Sequence, residues 1–133
     1  MSQENVETIQ RAYEGYSRGD LDALVADFAT DCDYVAAGTV PGRSGIYRGT
    51  EGYKKFVAWL DEEFSDSEAE LHSLIDAGDR VVVGATLRGR GRQSGIPVTF
   101  KFWQVWTFAN GQIVHGQGCA DKAEALAAAG SPE

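Results

Sequence analysis

The stretch VTFKFWQVWTF, residues 98–108, has the alternation and the β-branched and aromatic content of a strand. Side chains along a strand point to opposite faces with period two, so Val98, Phe100, Phe102, Gln104, Trp106 and Phe108 share one face. Five of these are apolar and one is an amide. Burying an unpaired amide costs roughly 1–3 kcal/mol, so Gln104 either finds partners inside a core or marks the polar wall of a pocket. Thr99, Lys101, Trp103, Val105 and Thr107 occupy the other face, which is mixed.

The same period extends outward in both directions. AELHSLIDAGDRVVVGATLRGRGRQSG, residues 69–95, reads as two strands joined at DAGD, and the ANGQ turn at 109–112 leads into a last strand, IVHGQGCA. Val81, Val83, Ala85 and Leu87 oppose Arg88, Arg90 and Arg92, so one sheet face is apolar and should carry helices. The arginines read as an exposed strand edge or an interface.

Before these strands the period is helical. Val6, Ile9, Tyr13 and Tyr16 form one stripe of a first helix, Gly19 suits its C-terminus, and Asp20 can cap a second helix with Leu21, Leu24, Val25 and Phe28 on its apolar face. DCDYVAA at 31–37 resembles a strand, followed by a loop containing Gly38, Pro41, Gly42 and Gly45. Thr50 can cap a third helix whose inner face carries Tyr53, Phe56, Val57, Leu60 and Phe64. At the far end, Asp121 with Glu124 three residues later is a capping-box-like start for a short helix, KAEALAAA. Helices followed by a meander of long strands predict an α+β fold, a single domain over 1–133.

Composition narrows the function classes. A net charge of −8 excludes nucleic acid and anionic lipid as default partners, since both call for a concentrated basic surface. The N-terminus has no basic segment followed by an apolar run, so no membrane span or secretory signal is read and the expected compartment is the cytoplasm. Cys32 and Cys119 stand far apart, and with two histidines they show no metal-ligand spacing, so two small buried thiols are expected and neither metal nor cofactor.

The segments MSQENVETIQRAYEGYSRGDLDALVADFATDCDYVA, YRGTEGYKKF, LIDAGDRVVV, VWTFANGQIV and ADKAEALAAAG resemble, in order and spacing, the SnoaL-like branch of the nuclear transport factor 2-like superfamily, which includes ketosteroid isomerases. The resemblance implies a cone: a curved antiparallel sheet wrapped around three N-terminal helices, with a short C-terminal helix. It also implies a deep apolar cavity for small hydrophobic ligands and a homodimer, here expected through the outer sheet face. Laid on this chain, the isomerase's tyrosine falls on Ala12, its general base on Ala36 and its protonated aspartic acid on Gln104. Steroid isomerisation by that mechanism is therefore not expected, because no carboxylate stands where the proton is taken.

Gln104 can donate as well as accept, so as a candidate catalytic residue it would polarise a carbonyl or hydroxyl; its alternative role is to satisfy a neighbouring tyrosine. Tyr16, one turn along from Ala12, is a second candidate donor. Asp121 and His115 are the candidate proton carriers, although Asp121 also suits an N-cap and His115 should alternate to the outer face. Tyr13, Tyr34, Phe56, Trp59, Phe102 and Trp106 are the expected ligand contacts. Gly116, Gly118, Ala120, Ala36 and Ala12 would leave volume that a large side chain or a ligand must fill, since an empty cavity costs roughly 24 cal/mol per Å³. The expected function is that of a cavity protein, either a cofactor-independent isomerase or cyclase acting on a small apolar molecule with a carbonyl or hydroxyl, or a non-catalytic binder of such a molecule.

Overall fold

The structure, a computed structural model, describes residues 2–40 and 43–130, with side chains for 3–36 and 45–130. Along the chain run α1 (Ser2–Ser17), α2 (Leu21–Leu24), β1 (Phe28–Val40), β2 (Arg43–Arg48), α3 (Gly49–Glu63), β3 (Phe64–Asp76), β4 (Arg80–Gly91), β5 (Pro97–Ala109), β6 (Gln112–Cys119) and α4 (Lys122–Ala128). The strands form one curved, unclosed sheet in the order β2-β1-β6-β5-β4-β3, and the architecture is α+β as expected.

Several local expectations are corrected. The second helix is one turn long: Asp20 does cap it, accepting from Ala23 N at 3.0 Å, but Phe28 already belongs to β1. The region read as a loop after residue 37 is mostly strand, because the end of β1 and the whole of β2 pair antiparallel and so satisfy each other's backbone groups; Pro41 and Gly42 lie outside the described residues. Thr50 is not the cap of α3, whose N-cap is Arg48 with no side-chain cap bond. Phe64 has left the helix: its backbone is extended, its N–H still donates to Leu60 O, and its ring packs against Phe100 and Trp59. The sheet is mixed rather than wholly antiparallel, since β1 and β6 run parallel.

Ile9 from α1 and Tyr53, Phe56, Val57 and Leu60 from α3 pack on the inner sheet face against Val81, Val83, Ala85, Leu87 and Trp106. A smaller cluster lies on the outer face, where Ala125, Leu126 and Ala129 of α4 cover Val82, Val105 and Cys119. Val105, on the mixed outer face through which a homodimer was expected, is thus buried, and Trp103 at its edge is only partly exposed. Both cysteines are free and buried.

The two tryptophans of β5 explain two of the glycines. Trp106 opposes Gly116 across β5–β6, and a Cβ on Gly116 would lie 2.3 Å from the indole ring. Trp103 opposes Gly84 across β4–β5 on the other face, where a Cβ would lie 2.7 Å from its ring. The volume that Gly116 leaves is therefore taken by Trp106, one of the compensations the sequence allowed.

Candidate functional site

The curved sheet, α1 and α3 line a partly open pocket of about 60 Å³. Its polar lining consists of Tyr13, Tyr16, Tyr34, Tyr53 and Gln104, and its apolar lining includes Leu24, Phe56, Leu60 and Phe102. Alternation along β5 turns Gln104 inward, and the α1 stripe brings Tyr13 over it.

Gln104 is 6% exposed and makes three side-chain hydrogen bonds. Its Oε1 accepts from Tyr13 Oη at 2.7 Å and from Trp106 Nε1 at 3.1 Å, and its Nε2 donates to Tyr34 Oη at 3.1 Å. An indole N–H can only donate, so Trp106 fixes which end of the amide faces which neighbour. The buried amide is thereby satisfied, which offsets the cost that made it anomalous in the sequence. Tyr34 receives from Gln104, and among the described residues no acceptor takes its own hydroxyl proton. The chain of hydrogen bonds ends at Tyr34, on the cavity wall.

Electrostatically the site is neutral. Burial holds the Tyr13 and Tyr53 phenols well above their ordinary range, with neighbouring tyrosines adding to the effect. Burial pushes Tyr34 up to about 12 despite the opposing hydrogen bond from Gln104. Tyr16 is also raised, chiefly by burial. The Ser67 hydroxyl offsets part of that rise, while Ser67 Oγ is buried with no hydrogen-bond partner among the described residues.

The candidate residues separate cleanly by position. Gln104, Tyr16, Tyr13, Tyr34, Phe56 and Phe102 line the cavity. Trp106 stands behind Gln104, stacked on Tyr34 at 5.3 Å between ring centroids, and Trp59 lies half-buried against Phe64 outside the cavity wall. Asp121 is exposed and caps α4, accepting from Glu124 N at 2.9 Å. His115 faces outward and contacts Asp33 through Nδ1 at 2.5 Å. Neither Asp121 nor His115 lines the cavity, so the structure does not bring them to Gln104 and Tyr16. Ala12 and Ala36, where the isomerase pattern would put its tyrosine and base, are buried.

Tyr53 lines the cavity though the sequence marked it only as helix core, and its place in the i, i+3 stripe of α3 was the available signal. Ser67 carried no signal. Among the described residues no three histidine, cysteine, aspartate or glutamate side chains converge as a metal site. No helix among them is long and apolar enough to cross a membrane.

The SnoaL-like domain family matches residues 9–116. An NTF2-like protein of unknown function from Burkholderia pseudomallei is 27% identical, with 93% of this chain and 95% of that chain covered and a TM-score of 0.78. An NTF2-like protein from Burkholderia thailandensis is 26% identical over 96% of this chain and 97% of that one, with a TM-score of 0.78. TerC, co-crystallized with polyporic acid, is 24% identical over 96% of this chain and 99% of that one, with a TM-score of 0.77, a likeness of fold alone. Among proteins of curated function none matches. With the match spanning most of its length and the fold agreeing, the chain belongs to the SnoaL-like domain family.

Proposed function

We propose that the chain binds a small, mostly apolar molecule bearing a carbonyl or hydroxyl oxygen, and that this oxygen accepts the free proton of Tyr34. The single observation that carries the reading is the end of the Tyr13–Gln104–Tyr34 chain: a buried donor, oriented from behind and unused within the protein, on the wall of an aromatic cavity. A pre-oriented donor in a water-poor site is worth more than the same donor in water, because little has to reorganise when the ligand arrives. Gln104 acts here by orienting Tyr34 rather than by touching the ligand.

Binding is favoured over proton transfer because the polar groups of the cavity are phenols and an amide. None of them gains or loses a proton near neutral pH, and a general base needs hydrogen-bond reach of the proton it takes. A second reading, cofactor-independent isomerisation or cyclisation, draws support from the same donor, since polarising a carbonyl is the first half of such chemistry. TerC with polyporic acid is an example of this fold in company with a small organic acid. For assembly, we take a second copy on the outer face as the partner, with Ile46 at 53% exposure and Val35 beside it in the uncovered part of that face. Sedimentation of wild type and Ile46→Glu tests this, a dimer that becomes a monomer being the expected result.

Thermal-shift measurements with acetophenone, benzyl alcohol and ethylbenzene test the binding reading. The two oxygen-bearing compounds should raise the unfolding midpoint more than the hydrocarbon does. No shift with any of them, or equal shifts with all three, would remove it. Deuterium uptake into the acetophenone methyl group tests the second reading: no acceleration is expected from a binder, and acceleration lost in Tyr34→Phe would establish the enzyme.

A further inference from the structure

The inner pocket, of about 60 Å³, is well below the roughly 300–1,000 Å³ of ordinary ligand pockets. Its volume suits a group of a few heavy atoms, such as an acetyl group, and not a whole ligand. A second cleft, of about 560 Å³, lies outside it, and the two share Tyr16 and Val57 as common walls. Ser67 also lines the outer cleft, and its Oγ is buried without a hydrogen-bond partner. An unpaired buried hydroxyl is destabilising by itself, and this one belongs to the wall of the outer cleft together with Tyr16, which also lines the inner space.

We propose that the binding site is bipartite. On this view, which rests on the reading of Tyr34 above, the inner cavity takes only the small oxygen-bearing end of the ligand. The body passes Tyr16 and Val57 into the outer cleft, where the Ser67 side chain turns about χ1 to present its buried Oγ, and a second polar atom of the ligand bridges Ser67 Oγ and Tyr16 Oη. The charge of the cleft sets the class of that atom. Asp61, Glu62, Asp66 and Arg18 line it, and Asp61 also pairs with Arg92 at 3.7 Å, leaving the cleft acidic. The outer substituent is therefore not a carboxylate, and a hydroxyl is the simplest group that can both donate to and accept from the Ser67 and Tyr16 hydroxyls.

Amide NMR titrations with para-methylacetophenone, para-hydroxymethylacetophenone and para-acetylbenzoate test the proposal. The hydroxymethyl compound should bind about fivefold more tightly than the methyl compound, the fold-change of one net hydrogen bond, and the benzoate most weakly. Ser67→Ala and Tyr16→Phe should each erase the advantage of the hydroxymethyl group while leaving the methyl compound's affinity in place. In the free protein Ser67→Ala should keep or raise the unfolding midpoint, since it removes an unpartnered hydroxyl; a lower midpoint would mean that Ser67 is already satisfied, and would overturn the proposal. If the compounds bind with affinities that ignore the para substituent or the Ser67 and Tyr16 variants, the bipartite site fails while the Tyr34 reading stands. If none of them binds, both fail.

Discussion

The two faces of the sheet solve the same packing problem and differ in chemistry. On each, a tryptophan of β5 lies over a glycine of the neighbouring strand, Trp106 over Gly116 inside and Trp103 over Gly84 outside. Inside, the accompanying polar groups are neutral, nearly inaccessible and bonded to one another, with Gln104 at their centre. Outside they are mostly ionisable and half-exposed or exposed, as in His115 with Asp33 and Arg88 with Glu70 at 2.8 Å, the buried Thr86 bonded to His72 being an exception. Charge is kept where water can solvate it, because burying it is far costlier than burying an amide with partners. The inner face is thereby suited to hydrogen-bond recognition and the outer face to solubility and contact.

The sharpest way to break this comparison is to crowd each tryptophan. Gly116→Val should destabilise by about 3 kcal/mol, the upper end for overpacking in a closed core, whereas Gly84→Val should cost about 1 kcal/mol because the partly exposed Trp103 can move aside. Chemical denaturation of the two variants checks the contrast, and equal losses would contradict it. Next, Gln104→Leu keeps the volume but strands the Tyr13 hydroxyl and the Trp106 N–H, with an expected loss of about 2 kcal/mol.

Alkaline titration separates the faces in another way. Tyr34 is protonated up to about 12 in the folded state and ionises at an ordinary phenol value near 10 when unfolded. Its stabilising contribution is thus complete below about pH 10 and is lost as pH rises toward about 12, and Tyr34→Phe should flatten that fall. Denaturation midpoints across this window, followed with phenolate absorbance, check the sign. Smallest of all, His115→Gln should change stability by about 0.5 kcal/mol at neutral pH and leave affinity for the ketone untouched, since the Asp33 pair is partly solvated and remote from the cavity.

The fold was legible because its long strands and amphipathic helices announce themselves by period, and the family pattern of segments runs through nearly the whole chain. Boundaries were less so. Phe64 fits the helical stripe of α3 by spacing, yet it begins β3 and packs on Phe100 of β5, and only tertiary contact decides between the two. The region after residue 37 is rich in glycine and reads as a loop, while the backbone pairing of β1 with β2 overrides that local preference.

At the site, the sequence singled out Gln104 and placed it on the inner face, but its partners are 91, 70 and 2 residues away and depend on the fold. That is why the sequence left Gln104 between polarising a ligand and satisfying a neighbouring tyrosine, whereas the fold bonds it to Tyr13, Tyr34 and Trp106. The N-cap role of Asp121 was written in its spacing to Glu124, and the outward turn of His115 in its alternation with Gly116. Ser67 was invisible because an unpartnered hydroxyl is a property of its surroundings and not of the residue.

The most direct test of the central claim is a four-way comparison of affinity, by calorimetry, for acetophenone and ethylbenzene in wild type and Tyr34→Phe. A donor used by the ligand predicts that wild type prefers the ketone by about fivefold and that Tyr34→Phe loses this preference while still binding the hydrocarbon. An undiminished preference in Tyr34→Phe would contradict the account.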